Sequence, residues 1–313
     1  MSEEISSKLG PGAEFDSIRK VVKRLGQNAQ GIGDDAAVIS SLGEQKLIVS
    51  TDTSVENVHF KREWLTSEEI GYRAAAAALS DVAAMGAKPL GMLVAMAIPE
   101  TWHAQIDAIS DGIGEAARVA GAPVIGGDMS RSTELALTIT VLGAARHVLL
   151  RTGARPGDHV YVTGRLGGPG AALRYFEENR EPPTMLRERF ARPIPRIHEA
   201  MWLAESGAMS AIDISDGLSS DLGHIAAASG VALNIDLSSI PVIDGVSAIE
   251  GARSGEEYEI VVSSPVEIDA TVFKRHFNLD LTRIGSVDTG EPGVRFFLDG
   301  SQVAVPGGYL HFA

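Results

Sequence analysis

Residues 66–89 read TSEEIGYRAAAAALSDVAAMGAKP, and the stretch carries its own start and stop signals for a helix. Thr66 with Glu69 three positions on forms a capping box, and Gly86 before Lys88-Pro89 ends the segment. At helical spacing Ile70, Ala74, Ala77, Asp81 and Met85 share one stripe. The run Ala74–Ala78 has so little side-chain bulk that a sheet can pack closely on it. Asp81 therefore stands on the face that should be buried. A carboxylate in that position must be paired, hydrogen-bonded or bound to a metal.

The flanking sequence alternates strands with helices. Phe15, Ile18, Val22 and Leu25 predict a short amphipathic helix over 14–26. Ala36–Ile39 and Lys46–Thr51 read as strands, the second placing Ile48, Ser50 and Asp52 on one side with Asp52 at its carboxyl end. After the central helix come a strand at Leu90–Ile98, a helix at Ala104–Ala120 and a short buried strand at 123–125 running into Gly126-Gly127-Asp128, either a plain tight turn or a place of close approach for a ligand. A long strand follows at Leu135–Leu142. Turn residues then gather in Arg151-Thr-Gly-Ala-Arg-Pro-Gly-Asp158, which sets a boundary between residues 1–150 and 151–313.

Beyond the boundary a strand at His159–Thr163 leads through GRLGGPG to a helix from about Ala171. Residues 180–196 hold four prolines and read as a connector. A helix at 197–206, a strand at Ala211–Ile214, the DISDG turn and a helix over 219–229 follow. Further strands are expected at 231–235, 258–263, 283–287 and 294–298. Both halves are thus α/β or α+β.

Bulk composition excludes several classes. At 313 residues two domains are the default. A formal charge of −14 argues against nucleic acid, which is bound by clustered Lys and Arg. The chain has no cysteine, which excludes disulfides, thiolate sites and Cys nucleophiles and fits a reducing compartment. The polar, acidic start MSEEISSKLG is unlike a signal peptide, and no apolar run reaches membrane-spanning length. A soluble cytoplasmic protein is expected.

Aspartates at the ends of elements carry the chemistry. They are Asp34 and Asp35 after Gly-Ile-Gly, Asp52 in STDT, Asp81, Asp128 after Gly-Gly, and Asp213 and Asp216 in DISDG. Taken singly, each is more often a solvated or capping residue. A fold that gathers them needs cations, and carboxylate oxygens suit Mg²⁺, whose usual companion is a polyphosphate. The GRLGGPG loop lacks the Gly-Lys-Ser/Thr ending of a Walker A loop, so turn chemistry explains it better.

In series, GIGDDAAVI, STDT…HF, LSDVAAMGAKP, GGDMSR, RTGARPGD, AIDISDGLSSDLGHI and SGEEYE resemble the thiamine-monophosphate kinase family, in the family's order and over nearly the whole chain. The resemblance implies a two-domain α/β fold like that of aminoimidazole-ribotide synthetase. Its amino-terminal domain would bind ATP and Mg²⁺ and form a homodimer interface. By the same resemblance Asp35, Ser50, Thr51, Asp52, Asp81, Asp128, Asp213 and Asp216 would hold several Mg²⁺ ions. Gly127, Arg151 and Ser215 would contact ATP, and His59, Glu256 and Tyr309 thiamine monophosphate. The chain departs from the family pattern at Glu257, where Asp is common, at Ala78, where Asn is common, and near Asp111, where an aromatic is common.

The activity expected is ATP-dependent phosphorylation of thiamine monophosphate to thiamine diphosphate, by direct in-line transfer with no side-chain base or nucleophile. Two other readings stay open: the same architecture acting on another acceptor, and a nucleotide-binding homologue without catalysis.

Overall fold

The computed structural model describes residues 16, 18–19, 34–305 and 307–308. The helix expected over 14–26, apart from those few positions, and Tyr309 lie outside the described residues.

The amino-terminal half runs β1 (Ala37–Leu42), β2 (Gln45–Val55), α1 (Ser67–Ala84), β3 (Lys88–Ile98), α2 (Ile106–Ala120), β4 (Val124–Arg131) and β5 (Ala136–Ala145). The strands form one sheet in the order β1-β2-β5-β3-β4, antiparallel except for the β3–β4 pair. Thr66 caps α1 as its sequence demands. Its hydroxyl accepts from the Glu69 N–H at 3.2 Å, and the Glu69 carboxylate accepts from the Thr66 N–H at 2.8 Å. Gly86, at φ +63°, turns the chain out of the helix.

Helix α1 is buried on nearly every side because it is sandwiched. One side lies on β2 and β5; another meets elements of the carboxyl-terminal half. Its crossing with α2 depends on two glycines. A Cβ at Gly71 would stand 2.0 Å from the Ile109 carbonyl oxygen, and one at Gly112 would stand 1.8 Å from that of Glu68.

Strand β4 corrects one expectation. In place of a short buried strand that stops at Gly-Gly-Asp, an eight-residue strand continues through Gly126-Gly127-Asp128, exposed along its whole length. The glycines serve strand pairing here. A Cβ on Gly127 would sit 1.9 Å from the Val94 carbonyl oxygen of β3, so only glycine permits this approach.

The carboxyl-terminal half runs β6 (His159–Thr163), α3 (Gly168–Glu177), α4 (Thr184–Ala191), α5 (Ile197–Glu205), β7 (Ser210–Asp213), α6 (Leu218–Ser229), β8 (Ala232–Asp236), α7 (Ala248–Arg253), β9 (Ile260–Ser264), α8 (Ala270–Phe277), β10 (Leu281–Asp288), β11 (Gly293–Leu298) and β12 (Ser301–Val303). Its sheet has the order β12-β11-β8-β10-β6-β9-β7. Helix α4 is a second correction, since the prolines of this stretch predict a connector. Pro182 and Pro183 precede its first turn and Pro193 and Pro195 follow its last. Prolines at those places bound a helix without breaking its hydrogen bonds.

Helix α4 also ties the halves together. Arg187 is paired with Glu69 of α1, and Arg192 with Glu115 of α2. Beneath it Glu259 accepts from Arg196 at 2.6 and 2.8 Å, from Arg189 at 3.0 Å and from the Thr163 hydroxyl at 2.6 Å. The glycine-rich loop after β6 fits this cluster. A Cβ on Gly164 would collide with the Glu259 carboxylate, and the Gly167 N–H donates to Glu257 at 2.5 Å.

Candidate active site

A cavity of about 700 Å³ opens between the halves. Three elements deliver carboxylates to one end of it. Asp81 comes from the stripe of α1 that faces β2, Asp213 from the carboxyl end of β7, and Asp35 from the chain just before β1. One oxygen of each lies within 4.8 Å of the others. Hydroxyls steady them: Ser50 donates to Asp81 at 2.5 Å and Ser80 to Asp213 at 2.6 Å. Arg151 grips Asp35 with two nitrogens, at 2.7 and 3.3 Å, while its backbone N–H donates to Asp34 at 2.5 Å.

The electrostatics follow from burial and crowding. Asp81 is held well above the usual carboxylate range, first by burial and then by the charges of Asp213, Asp52 and Asp35. Asp213 is pushed up to about 7 by burial and by Asp35, against the pull of Ser80 and Arg151. Burial works against the charge on Arg151, yet Asp35 outweighs it and the guanidinium is held firmly protonated.

These groups suit Mg²⁺. All three donors are carboxylate oxygens, the ligand type this ion prefers, and Asp81 and Asp213 resist ionising until a cation arrives. A second trio adjoins them: Asp216, Asp221 and His224 also bring ligand atoms within 4.8 Å. Asp221 is raised well above its usual range by burial and by Asp216 and Asp213. His224 is lowered to about 3 by burial and by Arg151, so its imidazole is neutral.

Of the residues singled out in sequence, Asp52, Asp81, Arg151, Asp213, Ser215, Asp216, His59 and Glu256 line the cavity, with Asp35 and Ser50 against them. His59 is held by its Nδ1, which accepts from the Val55 N–H at 3.1 Å and so leaves the ring proton on Nε2. Thr51 is not brought to the cluster by its side chain. Its hydroxyl lies on the opposite face of β2, 3.0 Å from that of Thr140. Gly127 and Asp128 stand on exposed β4 and outside the cavity lining. Tyr309 falls outside the described residues, although Gly308 lines the cavity.

Sequence reasoning missed Asp221 and His224, spaced one turn apart on α6 behind the DISDG turn. It also missed the apolar end of the cavity, where Trp64, Leu173 and Phe190 lie. A lone arginine, Arg73, on the stripe of Ala77 and Asp81 was a further unread signal.

The chain matches the AIR synthase related protein N-terminal domain over residues 33–145 and the corresponding C-terminal domain over 155–296. It is 36% identical over 302 residues to the thiamine-monophosphate kinase of Escherichia coli (strain K12), covering 90% of this chain and 92% of that protein. A solved structure described as AaThiL complexed with AMPPCP and TMP superposes with a TM-score of 0.84 at 30% identity, over 96% of this chain and 97% of that one. The thiamine-monophosphate kinase from Stenotrophomonas maltophilia K279a superposes at 0.75 with 33% identity, over 94% and 98%. The chain belongs to the AIR synthase related family, in its thiamine-monophosphate kinase branch.

Proposed function

We propose that this chain transfers the γ-phosphoryl group of ATP directly to the phosphate of thiamine monophosphate, yielding thiamine diphosphate and ADP. The observation that carries the reading is the convergence of Asp35, Asp81 and Asp213 on a cavity that His59, Glu256 and aromatic rings also line. Donor and acceptor are both anions, so their approach is the obstacle to be overcome. Mg²⁺ held by Asp35, Asp81 and Asp213, with Asp52 and Asp216 at hand, would supply the charge neutralisation.

The protein's own groups position the reactants. Arg151, fixed by Asp34 and Asp35, offers its charge to a donor phosphate beside Ser215. His59 and Glu256 face the acceptor. No side chain need remove a proton, because the attacking phosphate oxygen is ionised at neutral pH, and no covalent enzyme intermediate is required.

We extend the reading to a homodimer in the cytoplasm. Leu90 and Leu93 of β3 and Val124, Ile125 and Met129 of β4 form an exposed apolar surface suited to a second copy. No helix among the described residues is long and apolar enough to cross a membrane.

The test incubates purified protein with ATP, Mg²⁺ and thiamine monophosphate, with thiamine and an aminoimidazole-ribotide precursor as alternative acceptors. Thiamine diphosphate should form from thiamine monophosphate alone. Turnover only with another acceptor, or a phosphorylated enzyme trapped during turnover, would refute the reading.

A further inference from the structure

Helix α1 carries a second functional group on the stripe that presents Asp81. Arg73, Ala77 and Asp81 are spaced by four residues, so they stack along one face, with Arg73 about 12 Å along the axis from Asp81. Ala77 and Asp81 line the cavity, and Arg73 lies behind its wall at 3% exposure. Its guanidinium reaches across the boundary between the halves. It pairs with the Glu256 carboxylate, donates to the Phe190 carbonyl oxygen, and rests 4.1 Å from the centre of the Phe190 ring.

Both partners of Arg73 are cavity-lining groups, and the backbone carrying Glu256 is unusual. Glu256 and Tyr258 have φ of +59° and +53°, in the left-handed region that side chains seldom occupy. Two hydrogen bonds hold this segment to the DISDG turn: the Glu256 N–H donates to Ser215 at 2.6 Å and the Tyr258 N–H to Ile214 at 2.9 Å. The side-chain end of Glu256 is held by Arg73. A carboxylate fixed at both ends presents one defined oxygen edge to the cavity, which Trp64, Leu173 and Phe190 also line. That combination recognises a cationic heteroaromatic ring bearing an N–H donor.

We infer that Arg73 is a positioning residue for the acceptor: it holds Glu256 and Phe190 where they bind the organic end of thiamine monophosphate, while Asp81 on the same stripe serves the phosphate end. The inference rests on the kinase reading and deepens it. Helix α1 then acts as a ruler that fixes the distance between the ring-binding and cation-binding ends of the site.

The experiment compares wild type, Arg73→Met and Arg73→Lys for kcat, for KM of each substrate, and for binding of a non-hydrolysable ATP analogue. Arg73→Met should raise KM for thiamine monophosphate at least tenfold and leave analogue affinity within twofold of wild type. Arg73→Lys keeps the buried charge and should recover most of that loss. A general structural role would weaken both substrates together, and that result overturns the inference, as does an unchanged KM for thiamine monophosphate.

Should Arg73→Met fail to fold, the pair Glu256→Gln and Arg73→Gln carries the test, since Gln removes the charge that pairs with Glu256 while keeping a donor. Their effects on thiamine monophosphate KM must be non-additive if Arg73 acts through Glu256; additive effects overturn it. If the wild type makes no thiamine diphosphate, the kinase reading has failed. Arg73 is then tested by calorimetric binding of thiamine monophosphate to wild type and variants, and equal binding, or none, overturns this inference too.

Discussion

Replacing Asp213 by Asn should stabilise the cation-free protein while destroying its activity. Asp213 is 3% exposed and is pushed from the ordinary 3.8 up to about 7, by burial and then by Asp35. Because the folded value lies above the unfolded one, folding favours the protonated form. The group has no net effect on stability below pH 3.8. Its penalty grows as pH rises from there to 7 and is complete above 7. One pKa unit corresponds to about 1.4 kcal/mol, so the penalty is on the order of a few kcal/mol at pH 8 and smaller at pH 5. Asn keeps the shape, can still accept from Ser80, and adds an N–H₂ donor beside Asp35 and Asp81. Urea unfolding in EDTA should show the variant gaining at least ~2 kcal/mol over wild type at pH 8, with a smaller gain at pH 5. Added Mg²⁺ should stabilise the wild type more than the variant, since a binding cation replaces the proton as the partner of the buried charge. A variant that is less stable than wild type at pH 8 in EDTA, or a gain that shrinks with rising pH, would refute the reasoning.

Other expectations test separate parts of the structure. Asp52→Ala should abolish turnover with circular dichroism unchanged; a near-normal rate removes Asp52 from the cation set. His59→Ala should raise KM for thiamine monophosphate with a lesser effect on kcat, and an unaltered KM takes His59 off the acceptor contacts. Gly112→Ala should cost about 1–3 kcal/mol, because its methyl group must force α1 and α2 apart; calorimetry showing no loss would contradict the close crossing. Glu259→Gln removes the charge that Arg196 and Arg189 share beneath α4 and should cost about 3–5 kcal/mol in urea unfolding.

Much of this arrangement is legible in one dimension because local signals agree with tertiary need. The capping box at Thr66, the stop at Gly86 and the stripe through Asp81 are short-range features, and α1 forms where they place it. The carboxylates Asp35, Asp81 and Asp213 can be suspected because each sits where an element ends or turns inward.

What escapes a linear reading is set by partners distant in sequence. Helix α4 reads as a connector because its prolines flank a segment of only eight residues, too short to form without Glu69 and Glu115 to dock on. Strand β4 reads as truncated because glycine usually interrupts strands, whereas here Val94 requires it. Arg73 is a lone cation in an alanine helix, and its meaning depends on Glu256, 183 positions away (256 − 73). Thr51 shows the converse. Its neighbours in STDT suggest a shared metal shell, but strand alternation sends its hydroxyl to the other face of the sheet.

The most direct trial of the account is diffraction from crystals grown with a non-hydrolysable ATP analogue, thiamine monophosphate and Mn²⁺ in place of Mg²⁺, using the anomalous signal to find the ions. Manganese should appear bonded to oxygens of Asp35, Asp81 and Asp213, between the two sets of phosphates. Phosphates seated in the cavity with no manganese at those three side chains would contradict it.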